Sequence, residues 1–175
     1  SSDVCSSDLN TVNVAGGDAD VQTVQATATS AKGTDITSKV AWSVSPSDQG
    51  VSIGDGAGKI SVEANAKEGK YIVTASPMGE DSQGEPVTAE LTVTRAAAAA
   101  ASVTVADGSS QDASTVTVKG ANDESGATVN LTATVTDQYG EENAALAAGA
   151  QWSVAAPENS KEGDVTVSDG TVTVE

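Results

Sequence analysis

Residues 24–29 read VQATAT, and a segment of the same kind, LTATVT, returns at residues 131–136. Two more pairs follow in the same order: AWSV at 41–44 with QWSV at 151–154, and KISVE at 59–63 with TVTVE at 171–175. Equivalent positions run from 24 to 131, from 42 to 152 and from 63 to 175, which are offsets of 107, 110 and 112 residues. A period this long, drifting slowly through its loops, indicates two tandem domains.

Alternation of Val or Ala with Thr or Ser predicts short β-strands, because these residues suit a pleated, half-buried surface. In the first repeat we expect seven strands: Thr11–Val14, Val21–Thr29, Val40–Val44, Val51–Ile53, Lys59–Val62, Lys70–Ser76 and Val87–Thr94. In the second we expect Ser102–Ala106, Thr115–Val118, Val129–Asp137, Ala150–Val154, Val165–Val167 and Thr171–Val174. Seven short strands at this spacing predict an all-β sandwich.

The strands define the domain boundaries that we expect. Residues 10–95 form the first sandwich, the alanine run at 96–101 is a linker, and residues 102–175 form the second sandwich. Nothing in the second repeat corresponds to residues 64–95, so its last two strands are expected to be missing. That loss would expose the face carrying Trp152 and leave strand edges unpaired. We therefore expect the whole chain to aggregate or express poorly, and residues 10–95 alone to do so less.

The first nine residues, SSDVCSSDL, break the alternation and have no counterpart in the second repeat. They resemble one reading frame of a common short-read sequencing adapter, so we interpret residues 1–9 as non-native and exclude them from fold reasoning. Cys5 is the only cysteine and lies inside this segment, so a disulfide framework is not expected in the rest of the chain. A missing leader or anchor is then no evidence that the parent protein lacks one.

The chain is strongly acidic, with a net charge of −17 from 25 acidic and 8 basic residues. This balance argues against binding to nucleic acid, because phosphates need Lys and Arg, and against insertion into or docking on a membrane. Calcium is the one cofactor considered, since Asp18 and Asp20 share one loop and Asp123 and Glu124 share its counterpart. Neither loop has the spacing of a calcium-binding motif, so no cofactor and no metal site are predicted.

Catalysis finds no support in the sequence. The chain has no His, and its Ser and Thr residues lie in strands and turns without a base to activate them. The segment GDGAG at 54–58 lacks the Lys-Ser/Thr ending of a phosphate loop, so we interpret it as a hairpin turn. No catalytic, cofactor-binding or metal-ligating residue is therefore predicted, and the chain is not expected to be an enzyme.

The order of VQATAT, VAWSV, VSIGDGAGKISV, GKYIVTAS and AELTVT resembles that of group 2 bacterial immunoglobulin-like domains, found in intimin- and invasin-like surface proteins. The resemblance implies tandem immunoglobulin-like sandwiches on a bacterial cell surface, where arrays of them hold another module away from the envelope. Trp42 would pack between the sheets, Ala26 and Val73 would fill the disulfide positions of antibody domains, and Tyr71 would be a corner tyrosine. Trp152 is expected to repeat the role of Trp42, and Tyr139 to be exposed in its turn.

Two functions remain open at this level. The first is a structural spacer of an adhesin-like or S-layer-like protein, whose partners are neighbouring repeats of the same chain. The second is a module that binds a host protein or glycan through its loops. A contiguous aromatic or apolar patch at one loop end would favour the binding module, and its absence would favour the spacer. Joints between modules that are stiffened by calcium are a third interpretation.

Overall fold

The computed structural model describes residues 9–54, 56–78, 84–107, 127–155, 158 and 165–174. They divide into two compact units on either side of the Ala98–Ala99 bond. The adapter-like residues 1–8 and the expected strand Thr115–Val118 lie outside the described residues. Leu9, the last residue of the adapter-like segment, is half-buried and belongs to no strand.

Unit 1 contains two sheets built from short strands. Its strands are β1 (Val12–Val14), β2 (Gln22–Gln25), β3 (Val40–Ser45), β4 (Val51–Ile53), β5 (Lys59–Val62), β6 (Gly69–Pro77) and β7 (Val87–Arg95). One sheet has the order β1-β7-β6-β3 and the other β2-β5-β4. Within the sheets β1 pairs with β7 in parallel, whereas the other pairs are antiparallel. The mostly β fold expected from the alternation is confirmed.

Strand β6 shows why this sequence forms a sheet with one buried face. Tyr71, Val73 and Ala75 are at most 4% exposed, whereas Ile72 between them is 39% exposed. Side chains of a strand alternate between its two faces, so the Tyr-Val-Ala series enters the core and Ile72 faces solvent. Leu91 and Val93 on β7 and Ile60 and Val62 on β5 are buried in the same alternating manner.

Trp42 packs against the buried core of unit 1. Its half-buried indole packs, with Ile36 and Val87, against a buried cluster of Ala28, Val40 and Ala75. The indole Nε1–H donates to the Thr37 carbonyl oxygen at 3.0 Å, which satisfies its polar atom within the packing. The core position expected for Trp42 is therefore confirmed, and so is the burial of Ala26 and Val73.

Unit 2 contains a four-stranded sheet of order β10-β11-β9-β8. Its elements are β8 (Ala100–Asp107), β9 (Ala127–Asp137), α1 (Ala144–Ala148), β10 (Val165–Ser168) and β11 (Thr171–Val174). Asp169 and Gly170 have φ values of 47° and 80°, and Ser168 pairs with Thr171. Two positive φ values in a two-residue hairpin are the geometry that an Asp-Gly pair favours.

Three expectations differ from the structure. Only Gln22–Gln25 of the expected strand Val21–Thr29 is a strand, and Ala150–Val154 is irregular instead of extended. The helix α1 was not predicted from the sequence. Asn143 caps its N-terminus, since the Asn143 Oδ1 accepts a hydrogen bond from the Leu146 N–H at 3.1 Å. The alanines of this helix have the highest helix propensity, and Gly149 follows its end. Ala100 and Ala101, expected in the linker, begin β8.

Candidate functional site

The most distinctive local structure is a turn that occurs once in each unit, Ser30–Thr34 and Asp137–Glu141. In unit 1 the Gly33 N–H donates to the Ser30 carbonyl, and the Ser30 N–H donates to the Thr34 carbonyl, both at 2.8 Å. In unit 2 the same two bonds join Gly140 to Asp137 and Asp137 to Glu141, at 3.0 and 2.9 Å. We call these segments the paired turns.

The resemblance of the paired turns extends to their flanks and side chains. Each is bracketed by an isolated bridge, Thr29 with Asp35 and Thr136 with Glu142. In unit 1 the Ser30 hydroxyl accepts from the Thr34 N–H at 3.2 Å. The equivalent acceptor in unit 2 is the Asp137 Oδ1, which accepts a hydrogen bond from the Glu141 N–H at 3.2 Å. A constant offset of 107 residues thus relates the two turns.

Asp137 does more than its serine counterpart, because its Oδ1 also accepts from the Tyr139 N–H at 2.9 Å. The carboxylate is only 6% exposed. A buried carboxylate is tolerated when backbone donors satisfy it, and here they do. The arrangement stabilises the turn and leaves no sign of an open ligand position.

None of the four aromatic side chains forms an exposed platform. Tyr71 and Tyr139 are 1% and 8% exposed, and Trp42 and Trp152 are half-buried. The expectation that Tyr139 is exposed is therefore wrong. Trp152 lies over the β10–β11 hairpin, where a Cβ built on Gly170 would be 3.2 Å from its Cζ2.

Tyr71 has the hydrogen bonds of a corner tyrosine. Its hydroxyl donates to the carbonyl of Lys67, four residues upstream, at 2.8 Å, and lies 3.3 Å from the carbonyl of Gln49. Burial raises the pKa of Tyr71, and the nearby Arg95 guanidinium offsets part of this increase. The phenol thus remains a neutral donor, as both carbonyl contacts require, and the corner role expected for Tyr71 is confirmed.

The acidic residues do not assemble a metal site in the part of the chain that the structure describes. Within those residues there is no group of three or more His, Cys, Asp or Glu side chains that could hold an ion. Asp18 and Asp20 are exposed, and Asp123 and Glu124 lie outside the described residues. Hydrogen bonds from the Thr37 N–H, and then from its hydroxyl, lower the pKa of exposed Asp35, whose Oδ1 lies 2.9 Å from the Thr37 nitrogen.

A groove of about 280 Å³ lies between β9 and α1 in unit 2. It is lined by Ala133, Thr134, Val135, Glu142, Asn143, Ala144 and Ala147. Asn143 stands where unit 1 has Ile36, which packs on the buried cluster around Ala28. The groove in unit 2 is thus lined by Asn143, a helix-capping residue, at the position where unit 1 has the apolar Ile36. Its polar lining consists of the Thr134 hydroxyl, the Glu142 carboxylate and the Asn143 amide.

The segment at 54–58, considered above as a phosphate loop, joins β4 to β5. Ile53 pairs with Ile60, and the Gly54 N–H donates to the Lys59 carbonyl at 3.0 Å. The hairpin expected there is confirmed, although Asp55 lies outside the described residues. Gly58 is held against the neighbouring segment, because its carbonyl accepts from the Ala26 N–H at 2.8 Å.

Comparison with known proteins gives a likeness of fold. No protein-family model matches the chain, and no curated protein matches its sequence. Among solved structures, the crystal structure of mouse cadherin-23 EC22-24 is similar, with a TM-score of 0.52 and 16% sequence identity. The likeness covers 98% of this chain and 54% of that one, so this chain spans about half the length of its structural relative. The fold is that of tandem cadherin-like β-sandwich repeats.

Within the described residues, no helix has the length and apolar character needed to cross a membrane.

Proposed function

We propose that this chain is a stretch of spacer repeats from a bacterial cell-surface protein, adhesin-like or S-layer-like, with no catalytic role. The sequence resemblance to group 2 bacterial immunoglobulin-like domains supports the bacterial surface assignment, and the cadherin-like fold supports the tandem architecture. The observation that carries the proposal is the repetition of one turn, bond for bond, in two successive units. Modules that are repeated in series increase the length of a stalk, because every added copy extends it.

The placement of the aromatic residues supports a spacer over a binder. A site for a glycan or a host protein is normally anchored by exposed aromatic side chains. Here both tyrosines are buried and both tryptophans are half-buried in their units. Among the residues that the structure describes, the exposed large apolar ones are all aliphatic or thioether side chains: Val21, Ile72, Met78, Val103 and Val154. The acidic surface suits the same role, because like charges keep neighbouring modules apart.

Location is tested on intact cells of the producing organism. Antibodies raised against residues 10–95 are expected to label unpermeabilised cells, and protease added outside is expected to remove the label. A cytoplasmic protein detected in parallel controls for lysis. Labelling that appears only after permeabilisation would contradict the surface assignment while leaving the fold unaffected.

The spacer role is tested by deleting one repeat from the parent protein. Binding or catalysis by the distal part is expected to be unchanged towards a soluble ligand, whereas the distance between a tip label and the envelope shortens by about one domain. A glycan or protein that binds residues 10–175 directly, and that a loop substitution releases, would instead support the loop-mediated binding module.

A further inference from the structure

Two equivalent segments adopt strands of different length. Residues 24–30 read VQATATS and residues 131–137 read LTATVTD, and the paired turns follow each of them. In unit 2 the whole segment belongs to β9, which is 11 residues long. In unit 1 only the first two residues belong to β2, which is four residues long. Sequence preference does not explain the difference, because both segments alternate Thr with small or branched apolar residues.

The difference lies in what pairs with the outer edge. In unit 2, β8 runs antiparallel to β9 from Ala100, opposite Asp137, to Asp107, opposite Leu131. The inner edge of β9 faces β11, since the Leu131 N–H donates to the Gly170 carbonyl at 2.7 Å. Successive backbone N–H groups of a strand point to opposite edges. Thr132, Thr134 and Thr136 therefore point their N–H groups towards β8.

The corresponding edge of unit 1 is open in the part of the chain that the structure describes. There the Ala26 N–H donates inward to the Gly58 carbonyl at 2.8 Å, so Gln25, Thr27 and Thr29 point their N–H groups outward. Among the described residues, none accepts a hydrogen bond from the Thr27 N–H. Residues 21–29 also contain no Pro, Lys or other charged residue of the kind that normally blocks an exposed sheet edge.

We propose that the outer edge of residues 24–30 is a docking site for one antiparallel β-strand with the chemistry of Ala100–Asp107. The register follows from β8 on β9: the incoming equivalents of Val103 and Val105 lie opposite Ala28 and Ala26. Backbone hydrogen bonds to the outward N–H and C=O groups supply the affinity. Docking converts residues 26–29 from irregular backbone into strand. This site stands independently of the proposed spacer role.

The direct test adds a blocked peptide of sequence AASVTVAD, residues 100–107, to the full chain at millimolar concentration. Amide exchange is followed by NMR. At saturation the N–H groups of Gln25, Thr27 and Thr29 are expected to exchange at least about tenfold more slowly, whereas that of Ala26, already bonded, changes little.

Two substituted peptides separate strand pairing from nonspecific adhesion. Thr104 would point its N–H into the site and Val103 would point its N–H away, by analogy with β8 on β9. A Thr104→Pro peptide is therefore expected to bind at least about fivefold more weakly than a Val103→Pro peptide, because proline is tolerated where its missing donor would face solvent. Equal binding of the two peptides overturns the proposal.

A substitution in the protein provides the matching control. Thr27→Pro removes the outward donor at the centre of the site and is expected to abolish protection by the peptide. Its fold is checked by the exchange rates of β6 and β7 amides, which should be unchanged. Protection that persists in Thr27→Pro, or that maps to the outer edge of β8 instead of residues 25–29, overturns the proposal.

Discussion

Tyr71 shows how one residue ties the loop before β6 to the core. Its ring is 1% exposed and its hydroxyl donates to the Lys67 carbonyl at 2.8 Å. The Lys67 N–H in turn donates to the Gln49 carbonyl at 3.0 Å, so one side chain closes a small network between two loops. Such a network is stable only while the phenol keeps its proton, because both acceptors are carbonyl oxygens.

The substitution Tyr71→Phe is expected to lower the free energy of unfolding of residues 10–95 by about 1–2 kcal/mol at pH 7, since the carbonyls lose their donor. Burial raises the pKa of Tyr71, so the unfolded chain loses this proton first. The contribution is full below about pH 10, the ordinary tyrosine value, and is lost as pH rises through the folded value. Denaturant titrations of both variants should therefore converge at high pH. A gap that stays constant would contradict this assignment.

Gly58 and Gly56 offer a matched pair in one hairpin. Both have positive φ, 63° and 73°, a region that costs an alanine about 1–2 kcal/mol. A Cβ on Gly58 would lie 2.3 Å from the Ala26 carbonyl oxygen, whereas one on Gly56 meets nothing within 4 Å. Gly58→Ala is expected to destabilise unit 1 by several kcal/mol and Gly56→Ala only by the conformational cost. Thermal unfolding of the two variants, each compared with the parent chain, measures the difference. Equal losses would mean that the close approach has no energetic role.

At the scale of elements, the paired turns show that the same backbone conformation is stabilised by different side chains, a serine in unit 1 and an aspartate in unit 2. Ser30 makes one bond to the following backbone with its hydroxyl, whereas Asp137 makes two with its carboxylate. Bonds from a side chain to backbone N–H groups two to four residues later specify such turns. The second bond in unit 2 is donated by the backbone N–H of Tyr139, so it also restrains this buried residue.

The substitution Asp137→Ala leaves two N–H groups without their acceptor and is expected to cost about 1–3 kcal/mol in unit 2. Asp137→Ser copies the unit 1 solution and is expected to recover part of this loss, because serine can still accept from the Glu141 N–H. Amide exchange at Tyr139 and Glu141 distinguishes the two bonds: serine should protect Glu141 and leave Tyr139 fast. Equal loss in both variants would mean that the turns are not interchangeable.

Much of this architecture was predictable because it depends on local pattern. The bounds of β3 to β7 follow the Val/Thr alternation within one residue at each end, and glycines marked the β4–β5 hairpin. The signal for α1 was also present, as a capping Asn before an alanine run, but the repeat suggested a strand nearby. The shortness of β2 was not predictable, because it depends on pairing with a segment distant in sequence, and the turn residues around Tyr139 gave no sign of its burial.

At the scale of the whole molecule, charge is the dominant feature. A net charge of −17 on 175 residues disfavours the compact state through self-repulsion, because acidic residues outnumber basic ones by 25 to 8. Lys70 and Glu90 form an exposed ion pair at 2.8 Å. A surface pair of this kind contributes little, so it does not offset the general repulsion. Stability should therefore respond to any salt that screens charge.

Screening and a specific calcium site give different salt responses. Raising NaCl from about 10 to 150 mM shortens the Debye length from about 30 to 8 Å, so the thermal midpoint of the full chain is expected to rise. At matched ionic strength CaCl₂ and MgCl₂ are expected to act alike, because neither acidic loop, Asp18 with Asp20 or Asp123 with Glu124, has the sequence spacing of a calcium-binding motif. A ligand that binds only the folded state raises the midpoint beyond screening, in proportion to the logarithm of its concentration. A rise with calcium that magnesium does not reproduce would therefore contradict pure screening and support calcium-stiffened joints between the repeats.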